Sequence, residues 1–141
     1  GGYGVVLKYK NFRQELSDGF ELTTNNRMEL LAVNIGLESI KDKNLHVKIF
    51  SDSRYVVDTM NDNLLHKWAK QGYKHKQNID LWQRLRRIYN KYLHKFIWVK
   101  GHADNVENNR CDELAVAACK KKELKIDSGY NKVENNLFDF E

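Results

Sequence analysis

Leu45-His46-Val47-Lys48-Ile49-Phe50-Ser51-Asp52-Ser53-Arg54-Tyr55-Val56 decides the architecture of this chain. Leu45 to Phe50 is apolar and β-prone, which predicts a strand closed by Ser51-Asp52. Arg54 to Met60 then reads as a short helix. A strand that runs straight into a helix belongs to an α/β protein. Ligands in open α/β sheets gather at the carboxyl ends of strands, which is where Asp52 stands.

Upstream, Val5 to Lys10 reads as a strand, and Phe20-Glu21-Leu22-Thr23 alternates as a second, preceded by Ser17-Asp18-Gly19. Thr24-Asn25-Asn26 supplies helix-capping residues. From Met28 to Ile40 the apolar residues Met28, Leu31, Ala32 and Ile35, and again Leu30, Val33, Leu37 and Ile40, predict a helix buried over a broad face. Downstream, Leu64 to Lys70 reads as a helix ended by Gly72, and Ile79 to Leu93 as another with Leu81, Leu85, Ile88 and Tyr92 on one face. Phe96 to Val99 reads as a strand running into Lys100-Gly101-His102, and Glu107 to Lys122 as the last helix. The order β-β-α-β-α-α-α-β-α predicts an α/β fold with helices covering a mixed sheet.

The chain has 141 residues, enough for one domain. We assign residues 1–126 to that domain and 127–141 to an acidic, loosely held tail. The tail sets Asp127, Glu134, Asp139 and Glu141 against Lys132, net −3, so residues 1–126 carry +8 where the whole chain carries +5. No apolar run approaches the roughly 20 residues of a membrane span, and no membrane partner is expected. With 41% hydrophobic and 11% aromatic residues the chain is not disordered. Its two cysteines, Cys111 and Cys119, lie about 12 Å apart if they share a helix, too far to bridge. Reduced thiols point to the cytoplasm.

From Leu64 to Lys100 there are ten Lys and Arg residues and one acid, Asp80, and all three tryptophans fall in the same window. Bases mixed with aromatics suit a phosphate backbone, where each cation releases counterions. A solvated helix face above core aromatics would look the same.

Three acids hold positions that suit a metal: Glu29 early in its helix, Asp52 after its strand, and Asp112 in the first half of the last helix. Mg²⁺ prefers carboxylate oxygens, and two such ions activate a water and stabilise a leaving oxygen of a phosphodiester. Singly, each acid has a plainer reading. Glu29 and Asp112 would also serve as charges near helix N-termini, and Asp52 as a helix cap. His102, in a loop after a strand, is either a proton carrier or a surface histidine.

Together, Thr24-Asn25-Asn26-Arg27-Met28-Glu29-Leu30, Ser51-Asp52-Ser53-Arg54-Tyr55-Val56, Asp80-Leu81-Trp82, Trp98-Val99-Lys100-Gly101-His102-Ala103 and Glu107-Asn108-Asn109-Arg110-Cys111-Asp112-Glu113-Leu114-Ala115 resemble ribonuclease H of the type 1, bacterial-like class, from Gly1 to about Tyr130. The resemblance implies a ribonuclease H-like mixed sheet flanked by helices. It implies cleavage of the RNA strand of an RNA–DNA hybrid with Mg²⁺ or Mn²⁺, leaving 3′-hydroxyl and 5′-phosphate ends. It makes Glu29, Asp52 and Asp112 catalytic metal ligands and His102 the catalytic loop histidine that assists proton transfer and product release. Asn25 and Asn26 match residues that read the minor groove, where ribose 2′-hydroxyls distinguish RNA from DNA. Leu64 to Lys76, with Trp68, Lys70, Tyr73 and Lys74, matches a basic protrusion that grips the DNA strand, and Arg54 joins this substrate-binding set. Retroviral versions often lack that segment, so a cellular-type, monomeric enzyme is expected.

The family centre has four carboxylates, and the first lies on a central strand that the resemblance places before Gly1. Asp18 matches a turn between strands and does not replace it. The expectation is a chain that lacks the first central strand and its Asp, exposes two ladder edges, and cleaves poorly unless such a strand is supplied. A lesser idea seats Leu137-Phe138-Asp139-Phe140 in that slot. The competing functions are a hybrid-binding module without catalysis and a related polynucleotidyl transferase. His102 and the basic stretch count against the transferase.

Overall fold

The computed structural model describes residues 1–130, so the Leu137–Phe140 segment lies outside the described residues. The elements run β1 (Gly2–Tyr9), β2 (Phe12–Gly19), α1 (Asn25–Glu38), β3 (His46–Ser51), α2 (Arg54–Asn61), α3 (Leu64–Lys70), α4 (Ile79–Ile88), a 3₁₀ turn (Tyr89–Lys91), β4 (Leu93–Trp98) and α5 (Val106–Cys119). The order is the expected one. Two strands are displaced from their predicted positions. β2 occupies Phe12–Gly19, where Phe12-Arg13-Gln14-Glu15 carries too few apolar residues to announce a strand. Asp18 therefore lies in a strand and not in a turn, and Phe20 makes only an isolated bridge to Lys125. β4 starts at Leu93, because α4 ends at Ile88 and the chain turns through Tyr89–Lys91.

β1 and β2 form an antiparallel hairpin in register from Gly2 opposite Gly19 to Tyr9 opposite Phe12. β3 and β4 pair in parallel, from His46 opposite Leu93 to Ser51 opposite Trp98. Among the described residues these are two separate two-stranded sheets. β1 and β3 do not pair, and between them lies a slot, a cavity of about 470 Å³ lined by Gly2 to Lys8 on one side and Val47 to Asp52 on the other.

Alternation along β1 fixes what covers each face. Val5 and Leu7 point to α1, where a Cβ on Gly36 would sit 3.3 Å from Val5 Cγ1. Gly2 and Gly4 turn the other way, under α5. A Cβ on Gly2 would lie 2.6 Å from the Ala115 carbonyl oxygen, and one on Gly4 would collide with that of Cys111. Glycine there lets α5 lie directly on the sheet, which brings Asp112 to the slot. The core on the other side holds Leu30, Leu37, Val56, Leu65, Trp82 and Leu85, all fully buried.

Arg27 is the other organising residue. Its side chain is 1% exposed and forms ion pairs with Asp80 and Asp127 at 2.7 Å each. Its Nη1 also reaches Asn78 Oδ1 at 3.3 Å, and Asn78 Nδ2 and Trp82 Nε1 both donate to the Tyr55 hydroxyl at 2.9 Å. The start of α1, the loop before α4, and α2 are thereby tied together. Asp127 also accepts from Thr23 Oγ1 at 2.7 Å. The first residues of the stretch read as a loose tail are thus held on the domain. Both cysteines are free thiols, and no described helix is long and apolar enough to cross a membrane.

Candidate active site

Asp52 follows the last residue of β3, and the parallel ladder continues past it through Val99 N–H donating to the Ser51 carbonyl at 3.0 Å. Ser51 Oγ accepts from Ser53 N–H, and Ser53 Oγ caps α2 by accepting from Val56 N–H. Serine does the capping, so the Asp52 carboxylate is left free of that duty. Asn108 Nδ2 donates to Asp52 Oδ2 at 3.2 Å. Gly101 lets the loop after β4 lie against the same carboxylate, since a Cβ there would stand 3.0 Å from Oδ2.

Glu29 is the fifth residue of α1 and Asp112 the seventh of α5. Both lie beyond the first turn, where the helix dipole acts, so neither is placed as an N-terminal charge. Glu29, Asp52 and Asp112 all line the slot. Burial, then the charges of Asp52 and Asp112, push Glu29 up to about 7. Burial and then Asp52 also raise Asp112, while nearby His102 lowers it. His102 sits exposed in the loop with φ 57. The three predicted acids and the histidine therefore converge from four parts of the chain. They do not close into a cage: among the described residues, no three His, Cys, Asp or Glu side chains stand at metal-holding spacing. Three like charges fixed to separate rigid elements have no counter-charge among them to draw them closer. Their hard oxygen donors, and the electrostatic cost at Glu29, nonetheless fit a divalent cation.

The predicted binding residues divide. Asn25 and Asn26 open α1, both exposed, behind the Thr24 cap, whose side chain accepts from Arg27 N–H. Lys70 and Lys74 are exposed on and after α3. Trp68 is half-buried, edge-on to Trp82 at 5.5 Å, and the cation over its ring is Lys76, at 4.6 Å. Tyr73 is a correction: its side chain is 7% exposed and belongs to the core, so its ring is not offered to a ligand. Sequence reading missed Asn108 as a site residue. The signal was there, because Asn108 precedes Asp112 by one helical turn and shares its face. The contact of Trp98 with Asp52 had no such signal.

Fold and site together define an α/β protein with an acidic centre at a strand end. The RNase H family model matches residues 1–120, and the chain belongs to that family. Ribonuclease H of Desulforamulus reducens is 49% identical over 132 residues, covering 90% of this chain and 82% of that protein. Among solved structures, LC9-RNase H1, a type 1 RNase H with the type 2 active-site motif, matches with TM-score 0.76 at 34% identity, over 84% of this chain and 62% of that one. The foamy viral protease-reverse transcriptase in complex with RNA/DNA hybrid shares the fold, with TM-score 0.65 at 18% identity, over 84% of this chain and 19% of that one.

Proposed function

We propose that the protein is an endonuclease that hydrolyses the RNA strand of RNA–DNA hybrids by a two-metal-ion mechanism with Mg²⁺, or Mn²⁺ in its place, leaving 3′-hydroxyl and 5′-phosphate ends. The supporting observation is the convergence of Glu29, Asp52 and Asp112 on one slot, where burial beside the other two raises Glu29 to about 7. Glu29, Asp52 and Asp112 would hold the cations, which supply activation of water and stabilisation of the leaving oxygen. The chain's own residues do the rest. Asn108 orients the Asp52 carboxylate. His102, exposed and close to Asp112, takes and returns a proton at a ring nitrogen. Asn25 and Asn26 read ribose 2′-hydroxyls from the minor groove. Trp68, Lys70, Lys74 and Lys76 hold the DNA strand, with the charges on its phosphates. The enzyme works as a monomer in the cytoplasm.

We further infer that full activity needs a fourth carboxylate, carried by an extended segment in the slot between β1 and β3. Cleavage of a labelled hybrid in Mg²⁺, with and without such a segment supplied, tests this. Cleavage is expected to be weak without the segment and strong with it. Asp52→Asn abolishes cleavage in the supplied form and leaves hybrid binding largely intact. The open arrangement of the three acids favours one other reading, a hybrid-binding module without catalysis. Binding that survives EDTA, with no cleavage in either form, would establish that module instead.

A further inference from the structure

Arg54 is the first residue of α2 and stands two positions after Asp52, yet among the described residues it forms no ion pair. Arg86 and Arg87, in the last turn of α4, are likewise in no ion pair among the described residues, whereas four other arginines are committed. Arg13 pairs with Glu15 and Glu107, Arg27 with Asp80 and Asp127, Arg84 with Glu38, and Arg110 with Glu15 and Glu113. The Arg54 guanidinium lies instead over the indole of Trp98, its Cζ 3.9 Å from the ring centroid. Trp98 is the last residue of β4, paired in register with Ser51, and its Nε1 donates to the Asp52 backbone carbonyl at 3.1 Å. It is also 36% exposed, unusual for a tryptophan fixed at a strand end.

One side chain therefore does two things at one place. The indole N–H is anchored to the backbone of the residue that carries the site's central carboxylate. The indole face holds an unpaired cation, carried two positions along the chain from that carboxylate. A guanidinium stacked on a ring keeps its in-plane N–H donors free, and their fork matches a phosphate. We propose that Trp98 is a positioning residue that stations Arg54 as a phosphate contact on the nucleic-acid strand next to Asp52. This deepens the hybrid-nuclease reading and rests on it. It also assigns Trp98 a second consequence, because an Arg54 released from the ring would reach for Asp52 and compete with a cation there.

Hybrid binding measured by fluorescence anisotropy in EDTA, from 50 to 200 mM salt, tests the proposal without catalysis. Removing one cation from a phosphate flattens the slope of log affinity against log salt by about 0.9. Arg54→Ala and Trp98→Leu are each expected to flatten it by that amount, and the double variant by no more than either alone. Trp98→Phe keeps an aromatic face while losing the N–H, and is expected to restore the original slope. A Mn²⁺ titration of the protein alone reads the second consequence: Trp98→Leu weakens binding severalfold and adding Arg54→Ala restores it. A slope unchanged in Trp98→Leu, or a double variant that loses the sum of the two, overturns the proposal. If the unsubstituted chain itself shows no salt-dependent hybrid binding, the hybrid reading fails and this one with it.

Discussion

At the scale of the residue, Glu29 carries the strain of the site. A carboxyl half-buried beside two other carboxylates favours its neutral form, and here it titrates at about 7. The unfolded chain has no such neighbours, so the folded state binds the extra proton between about pH 4.5 and 7. The stability tied to that proton is present below the unfolded value and is lost as pH rises through the folded one. Glu29→Gln removes the conflict. In EDTA at pH 8 the variant is expected to be more stable by about 1–2 kcal/mol, with the difference vanishing near pH 4. Urea melts at both pH values check this, and equal stability at pH 8 would mean Glu29 is already relieved by another group. The three acids that line the slot were legible in the sequence through the motifs around them, since only Asp52 stands at an element end and Glu29 and Asp112 lie inside their helices. Asn108 was half-legible through its spacing from Asp112. Trp98 was not, because the indole reaches Asp52 across a parallel ladder, and nothing in the sequence order sets that register.

At the scale of the element, helices read better than strands. α3 matches its predicted limits, and α1 begins three residues earlier than expected only because Asn25 and Asn26 lie inside the Thr24 cap. β2 escaped because an exposed strand needs little apolar character, and Arg13 and Glu15 are drawn to α5, by Glu107 and Arg110. The basic stretch around α3 was visible as composition, but composition could not separate ligand-facing residues from packing ones, and Tyr73 fell on the wrong side. Its charges are the testable part. Lys70→Ala with Lys74→Ala is expected to lower hybrid affinity and to flatten its salt dependence by about 0.9 for each phosphate no longer neutralised. An unchanged slope in the double variant would turn this face away from the nucleic acid.

At the scale of the whole molecule, two long-range features hold the site's parts in place. The first is Arg27, whose partners are 53 and 100 residues away in sequence. Burial pushes Asp80 and Asp127 up, but the hydrogen bonds from Arg27 outweigh it and hold both below the ordinary carboxylate range. The sign is opposite to that at Glu29. This stability is present above about pH 4, the unfolded value, and is lost as pH falls through the folded pKa values. Asp127→Asn strips the better-buried partner from a buried guanidinium and is expected to cost about 3 kcal/mol near neutrality, with a flatter acid limb in thermal melts taken from pH 6 to 2.

The second feature is the slot. Seven consecutive residues of β1, and five of β3 followed by Asp52, line it, a length of about 20 Å, with two backbone edges facing each other that are unpaired among the described residues. An extended peptide of seven or eight residues, alternating β-branched and small polar side chains, is complementary to both edges at once, as in other strand additions. Supplied at a hundred times its dissociation constant, it is expected to stabilise the fold by about 2.7 kcal/mol and to protect amides on β1 and β3 from hydrogen exchange. Placing Asp or Asn at the peptide position beside Asp52 separates structure from chemistry. Both peptides should stabilise and protect equally, since pairing is a backbone matter, whereas only the Asp peptide should raise Mg²⁺-dependent cleavage. Protection without any difference between the two in cleavage would leave the slot as a structural gap and take the fourth carboxylate out of the mechanism.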